Sequence, residues 1–363
     1  MHTKKSIKDV QLKNKRIFLR LDLNVPLKNK SVLCTHKIDS VLPTINYILE
    51  NEPKKLIIGT HLGRPNGYSE DLSVKPVVEL INKKCKTNFV LRNLDSDLND
   101  KFIFLENLRF YKEEKEGYND FFKKNADLTV IDSFGCVHRN DKSVTNTLLP
   151  TVMGLLMEKE LDLIKSIQNG VDLTIFGGAK ISDKLKLISG IKSKSVWLVG
   201  ALATTVLKSK GVKVGKSKCE NLNLTNEFKE INLKLPKDFL VEDNQNFKYT
   251  TEICDNESVI DIGKESINEI VKDIKESKSV FWNGPAGIFE KKEAEEGTKS
   301  IAQALIQLVK QGGKVYVGGG ETAMAALQFG ELNDYTHVST GGGALMTLLS
   351  GENMPGIDAI DNK

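Results

Sequence analysis

The sequence lacks the cysteine spacings that bind metals or form redox pairs. Its five cysteines stand far apart, and no two of them approach a Cys-x-x-Cys arrangement. This pattern argues against a zinc site and against a thioredoxin-like dithiol. An odd number of widely separated cysteines is typical of reduced thiols, so we expect a cytoplasmic protein.

Long apolar runs and blocks of like charge are also missing. No stretch approaches the roughly 18 apolar residues of a membrane-spanning helix, and residues 1–30 show no signal peptide. The net charge of +4 is small for 363 residues, and there is no basic tail. We therefore expect no membrane and no nucleic acid as partners, and any positively charged site must be local.

Short apolar runs alternate with helical patterns along the chain. The runs that predict strands are residues 17–19, 56–58, 102–105, 128–131, 173–176, 196–199, 239–241, 280–282, 315–317 and 337–339. Apolar residues at helical spacing predict helices over 38–49 and 74–84. This alternation predicts an α/β protein with mostly parallel sheets and covering helices.

The length of the chain favours two domains. Residues 151–168 predict one long helix, and we place the domain boundary there. Residues 221–238 are more polar and predict a peripheral helix and loop, while the mixed charges of 112–116 predict a solvated loop.

Polar and charged side chains follow the predicted strands of the first half. They are Asp22, Asn24, His61, Arg64, Arg109, His138 and Arg139, with Lys37 at the start of the first helix. Ligands of open α/β sheets bind outside the carboxyl ends of the strands. Because arginine suits bidentate recognition of phosphate and carboxylate, this set predicts a site for a small, highly anionic molecule.

Glycine-rich segments follow the predicted strands of the second half, at 177–184, 283–287, 318–322 and 339–343. Backbone amides in such turns bind anions. The first segment predicts a strand, a turn and a helix with Lys180 and Lys184 on one helix face, an arrangement that suits a polyphosphate. Glu321 is either a metal ligand or an acid that favours a helix N-terminus.

An anion site on one half and a nucleotide-like site on the other indicate a small-molecule kinase whose substrates meet on domain closure. A dehydrogenase is the alternative, because residues 318–323 fit a GxGxxA pattern. The acid that should follow about 20 residues later is missing from the next strand, which weakens that alternative.

The chain resembles the phosphoglycerate kinase family over nearly its whole length. The matching segments are 20–26, 61–65, 106–110, 132–139, 177–184, 282–287, 318–322, 337–344 and 355–359. The resemblance implies two Rossmann-like, three-layer α/β/α domains joined by a hinge helix. Residues 1–150 with a returning tail, about 350–363, would bind 3-phosphoglycerate, 151–168 would be the hinge, and 169–349 would bind the nucleotide. It also implies a cytoplasmic monomer that uses ATP or ADP with Mg²⁺.

The resemblance assigns roles to individual residues. Asp22, Asn24, His61, Arg64, Arg109 and Arg139 would hold 3-phosphoglycerate, and the catalytic cations would be Lys37, Lys180 and Lys184. The nucleotide would be lined by Gly178, Ala179, Lys180, Lys184, Ala201, Asn283, Gly284, Pro285, Glu290, Gly319, Gly320, Glu321 and Thr322. Glu290 would reach the ribose, and Glu321 would bind the metal.

Three positions depart from the family pattern. Lys37 stands where the family has arginine, and Glu321 stands where it has aspartate. Gly200, Ala201 and Leu202 replace three glycines beside the adenine. These changes leave open a second hypothesis, a binding or regulatory protein that kept the fold and lost the chemistry.

Overall fold

The computed structural model describes residues 4–146, 148–182, 184–224, 227–228 and 230–363. The chain forms two compact units, one from the residues up to Asp162 together with Glu352–Lys363, the other from Leu163–Gly351. Each unit has a parallel sheet with flanking helices, which confirms the predicted fold class. No described helix is long and apolar enough to cross a membrane.

The described residues of the first unit form a parallel sheet in the order β5-β6-β4-β1-β7-β8, beside a small hairpin of β2 and β3. The strands are β1 (Arg16–Leu21), β2 (Leu27–Lys28), β3 (Ser31–Val32), β4 (Lys55–Gly59), β5 (Val90–Arg92), β6 (Phe102–Leu105), β7 (Leu128–Asp132) and β8 (Thr151–Met153). The helices are α1 (His36–Glu50), α2 (Lys75–Cys85), α3 (Glu113–Glu116), α4 (Asn119–Asn125) and α5 (Leu155–Gln168), the last of which crosses into the second unit.

The central strand β1 is buried on both faces. Ile17, Leu19 and Leu21 pack into one apolar cluster, while Phe18 packs into another cluster on the opposite face. Side chains of a strand alternate between its faces, so Arg20 lies on the Phe18 side of the sheet, where it is completely buried.

The described residues of the second unit form a parallel sheet in the order β11-β10-β9-β15-β16-β17 and an antiparallel sheet in the order β13-β12-β14. The strands are β9 (Val171–Phe176), β10 (Ser193–Leu198), β11 (Leu233–Lys234), β12 (Phe239–Asp243), β13 (Asn246–Thr250), β14 (Ser258–Ile262), β15 (Ser279–Asn283), β16 (Lys314–Val317) and β17 (His337–Val338). The helices are α6 (Leu185–Gly190), α7 (Gly200–Ser209), α8 (Lys264–Glu276), α9 (Glu296–Lys310), α10 (Gly320–Phe329) and α11 (Gly342–Leu349).

The helix predicted over 151–168 is shorter than expected. Thr151–Met153 form β8 beside β7, and α5 begins only at Leu155. The reason is Asp132 at the end of β7, whose Oδ1 accepts a hydrogen bond from the amide of Met157 at 2.8 Å. A Cβ on Gly154 would lie 2.3 Å from Asp132 Cγ, so only glycine fits before this helix. Burial raises the pKa of Asp132 to about 7.

The run 239–241 forms a strand as predicted, but this strand, β12, pairs with β13 and β14 in the antiparallel sheet. Two further predictions are wrong. Among the described residues of 221–238 there is no helix, only the short strand β11. Residues 112–116 contain helix α3, in which Glu114 is buried because it pairs with Arg20.

The end of the chain, including helix α12 (Pro355–Asp358), packs on the first unit. The amide of Gly356 donates to the carbonyl of Val137 at 2.9 Å. The amide of Asp361 donates to the carbonyl of Thr151 at 2.8 Å. The carbonyl of Asp361 accepts from the amide of Lys5. These bonds join both ends of the chain to the first sheet.

Candidate functional site

The parallel sheet of the first unit brings the predicted charged residues to one edge. We call Asp22, Asn24, Lys37, His61, Arg64, Arg109, His138 and Arg139 the acid site. Asp22 follows β1, His61 follows β4 and Arg139 lies beyond β7, and these three strands are neighbours. The carboxyl ends of parallel strands meet at this edge, as predicted from the sequence.

Lys37 and Asp22 form the inner ion pair of the acid site. Lys37 Nζ lies 2.6 Å from Asp22 Oδ2, and Asp22 is only 6% exposed. Burial alone would raise the pKa of Asp22, but the charge of Lys37 and the hydrogen bond from Lys37 hold it below its ordinary value. Asn24 is fixed beside this pair, because its Oδ1 accepts from the amide of Gly63 at 2.9 Å.

Three arginines line one pocket of about 740 Å³ in the first unit. They are Arg64, Arg109 and Arg139, and His138 lies beside them. Arg109 is oriented by the carbonyl of Gly63, to which it donates at 2.6 Å. Burial and the neighbouring Arg139 lower the pKa of His138. The arginines, together with Lys112 and Lys115, therefore supply the positive charge of the pocket.

The sequence prediction missed a buried group behind these residues: Arg20, Glu114, Cys136 and Ser143. A charged residue inside the apolar run of β1 is the signal that could have identified Arg20. Asp22, His61 and Cys136 place potential metal ligands within 4.8 Å of one another. Because Lys37 and Arg20 already bring positive charge there, the group does not suit a metal ion.

The glycine segments of the second unit meet backbone to backbone. We call residues 177–184, 200–201, 283–290 and 318–322 the glycine site. A Cβ on Gly177 would lie 2.0 Å from the carbonyl oxygen of Pro285, and one on Gly284 would lie 2.2 Å from the carbonyl carbon of Gly177. Gly177 follows β9 and Gly284 follows β15, which are neighbouring strands. Only glycine permits this approach.

Polar side chains tie these turns together. Lys184 Nζ donates to the carbonyl oxygens of Gly177 at 2.6 Å and Asn283 at 3.1 Å. Asn283 Nδ2 donates to the carbonyl of Gly318 at 2.8 Å, and Thr322 Oγ1 accepts from the amide of Gly284 at 2.7 Å. The structure thus joins Lys184, Asn283, Gly284 and Thr322, all of which the sequence predicted for one site.

Lys180 and Lys184 do not share a helix face, contrary to the prediction. Helix α6 begins at Leu185, so both lysines precede it. The amides of Ile181 and Ser182 donate to the carboxylate of Glu220 at 2.5 and 3.0 Å, and this holds the segment in an irregular turn. Lys180 is exposed on this turn. Its neighbour Asp183 lies outside the described residues.

The other predicted residues are placed but less tightly linked. Glu321 is exposed in the first turn of α10, which begins at Gly320, and Gly319 has a φ of +94°. Glu290 is exposed, and Ala179 is half-buried. Of the two side chains that replace glycines, Leu202 is completely buried and Ala201 is half-buried.

Comparisons with known proteins agree with one another. The family model described as "Phosphoglycerate kinase" matches residues 7–352. The chain is 36% identical to phosphoglycerate kinase of Wigglesworthia glossinidia brevipalpis, over 96% of this chain and 94% of that protein. It is also 36% identical to the chloroplastic enzyme of Volvox carteri, over 99% of this chain and 87% of that one. The solved structure of phosphoglycerate kinase from Coxiella burnetii aligns with a TM-score of 0.85 at 31% identity, covering 98% of both chains.

Proposed function

Because the chain belongs to the phosphoglycerate kinase family, we propose that its acid site binds 3-phosphoglycerate and its glycine site binds ATP or ADP. The enzyme transfers a phosphoryl group reversibly between ATP and the carboxylate of 3-phosphoglycerate, giving 1,3-bisphosphoglycerate and ADP in glycolysis and gluconeogenesis. The observation that carries the site assignment is the convergence of three arginines on one pocket.

The acid site matches the chemistry of its proposed substrate. Arg64, Arg109 and Arg139 offer paired N–H donors for phosphate and carboxylate oxygens. Asp22 and Asn24 offer oxygen atoms that accept a hydrogen bond from a substrate hydroxyl. The ion pair with Lys37 keeps Asp22 ionised without leaving a net negative charge beside an anionic substrate.

The glycine site matches a nucleotide. The amides of its turns can bind phosphate oxygens, and the glycines let the phosphates approach the backbone. We assign Gly178, Ala179, Lys184, Asn283, Gly284, Pro285 and 319–322 to the phosphates and their surroundings, Ala201 to the base and Glu290 to the ribose hydroxyls. Exposed Lys180 follows the phosphoryl group during transfer.

The transfer needs no covalent enzyme intermediate. The carboxylate of 3-phosphoglycerate attacks the terminal phosphorus in line, and the chain contributes orientation and positive charge. Lys37 and Lys180 are the cations that we assign to the transferring group. No side chain has to take a proton, because the attacking carboxylate is already ionised.

The family uses a divalent metal with ATP, and we assign Mg²⁺ to Glu321. The carboxylate of Glu321 is exposed, and its Oε2 lies 3.8 Å from the position of a Cβ on Gly178, beside the proposed phosphates. When bound, Mg²⁺ would neutralise phosphate charge. We further propose a cytoplasmic monomer without nucleic-acid partners, in line with the small net charge.

A coupled assay with ATP, Mg²⁺ and 3-phosphoglycerate tests the proposal. We expect turnover far above that of Lys180→Ala, with KM for 3-phosphoglycerate raised in Arg109→Ala. Turnover no higher than that of Lys180→Ala would overturn the proposal. If calorimetry then found tight binding of 3-phosphoglycerate, the second hypothesis would be supported, because Lys37 and Ala201 depart from the family pattern.

A further inference from the structure

We propose that Arg20, Glu114 and Ser143 are positioning residues that hold His61 as the tautomer with its hydrogen on Nε2, so that His61 donates a hydrogen bond to the bound anion. The inference deepens the proposed function, because it rests on the acid site as the place where 3-phosphoglycerate binds. It concerns buried residues that touch His61 or one another, of which Glu114 also lines the pocket.

Arg20 is locked in place by several acceptors. Its Nε donates to Ser143 Oγ at 2.7 Å, and Nη1 donates to the carbonyl of Leu21. Its Nη2 lies 3.5 Å from Glu114 Oε1. A guanidinium has five N–H donors in one plane, so fixing two of its nitrogens also fixes the third.

Glu114 and Ser143 make this buried cation possible. Arg20 is completely buried and Glu114 is 5% exposed. A buried charge is costly unless it is paired and hydrogen-bonded. The hydroxyl of Ser143 accepts from Arg20 and donates to Glu114 Oε1 at 2.9 Å, so one hydroxyl connects the two charges.

The tautomer of His61 follows from what faces its Nδ1. Arg20 Nη2 lies 3.5 Å away and Cys136 Sγ lies 3.7 Å away. Arginine can only donate, so Nδ1 must accept, and the hydrogen of a neutral ring then sits on Nε2. The ring is neutral because burial and the charge of Arg20 lower its pKa well below the ordinary value.

The Nε2–H group of His61 is therefore left to donate a hydrogen bond to the bound anion. Nε2 is buried and has no hydrogen-bond partner among the described residues. A buried N–H without an acceptor is costly, and a substrate oxygen beside Asp22 would satisfy it. The opposite tautomer would present a lone pair to the anion and repel it.

Nitrogen-15 NMR of the full chain without substrate tests the tautomer directly. The chain has five histidines, and His61→Gln identifies the signals of His61. We expect a neutral ring at pH 7 with its hydrogen on Nε2. A hydrogen on Nδ1, or an imidazolium, would overturn the inference. This measurement does not need turnover, so it separates failure of the inference from failure of the proposed function.

Variants then test the positioning residues. Ser143→Ala and Glu114→Gln should give mixed tautomers of His61 and raise KM for 3-phosphoglycerate about 10-fold, with KM for ATP within about two-fold. Asp127→Asn is the matched control, because it removes the partner of Arg16 on the same strand β1. If Ser143→Ala or Glu114→Gln folds and leaves the His61 tautomer and the KM for 3-phosphoglycerate unchanged, the role of that residue is refuted. If a variant fails to fold, the spectrum of the unaltered chain still decides the tautomer of His61.

Discussion

We propose that the acid site and the glycine site hold anions by different means. In the acid site the charge comes from side chains that are themselves oriented, such as Lys37 by Asp22 and Arg109 by Gly63. In the glycine site the backbone would be the main binding surface, and its shape depends on contacts such as that between Gly177 and Pro285. Lys184 is bonded to this backbone, while Lys180 is exposed.

The difference teaches which changes each site tolerates. A site made of side chains is damaged by removing atoms, because a charge or its partner is lost. A site made of backbone is damaged by adding atoms, since a single Cβ pushes two turns apart. Lys180 differs from the rest of the glycine site, because it would supply charge from an exposed side chain, whereas the side chain of Lys184 is bonded to the backbone.

The largest expected effect is that of replacing Lys180. Lys180→Ala should lower kcat about 100- to 1,000-fold, because it removes charge from the transferring group. Steady-state kinetics and thermal unfolding measure this, and stability should hardly change since the side chain is exposed. With lysine at position 37, we expect Lys180 to carry more of the stabilisation than is usual for the family. A mild loss would count against this, and exposed Lys186→Ala is the control.

Adding one methyl group tests the backbone character of the glycine site. Gly177→Ala should destabilise the second unit by about 3 kcal/mol and weaken ATP binding, because the new Cβ overlaps the backbone at Pro285. Urea unfolding and nucleotide titration measure both effects. Gly343→Ala is the control, because it lies in α11 with no heavy atom within 4 Å of the added Cβ. Equal stability of the two variants would contradict the contact.

Each of the two units contains a buried carboxyl group that makes stability depend on pH. Burial raises the pKa of both Asp132, in the first unit, and Asp261, in the second, to about 7. A folded-state pKa above the ordinary value means that stability is highest at low pH and falls as the pH rises toward 7. Asp132→Asn should remove this fall and gain about 2 to 3 kcal/mol at pH 8 relative to pH 5.

Asp261 should respond differently to the same change. Its two oxygens accept from the amides of Ile262 and Gly297, so asparagine would set an NH₂ group against one of them. We expect Asp261→Asn to be destabilised at both pH values in urea unfolding. A gain in stability at pH 8 would show that the two carboxyl groups are equivalent.

The smallest expected effect is Lys37→Arg. Arginine would keep the charge beside Asp22 and add a planar fork, so kcat should stay equal or rise a few-fold. Lys37→Met, which removes the charge, is the control for this variant. A large loss in Lys37→Arg would show that the pocket is built around lysine.

Much of the fold could be predicted because the period of apolar residues shows directly in the sequence. Strands such as β1 and β9 contain short apolar runs, and the polar residues after them predict the edge where ligands bind. Strand β13 was missed because it is mostly exposed and lacks such a run. Thr151–Met153 were assigned to the helix because a three-residue edge strand has no pattern of its own.

Site residues that would contact a ligand directly could be predicted from their residue types. Residues that only position other side chains or turns could not. Arg109 and Lys184 stand at strand ends or in glycine turns, where their types are informative. Glu114 lies in a run of mixed charges that is typical of a solvated loop, and its burial depends on Arg20, far away in the sequence. Glu220 likewise shapes the turn of Lys180 from a distant segment.

The bonds that join the last residues to the first sheet set an order of assembly during synthesis. Residues 163–351 form one continuous unit, whereas the first unit includes Glu352–Lys363. Those residues leave the ribosome after 163–351, so the first unit is completed after the second. The second unit can fold before Asp361 has been synthesised and can bond to Thr151 in β8. A nascent chain stalled before Glu352 should therefore protect the second unit from protease better than the first.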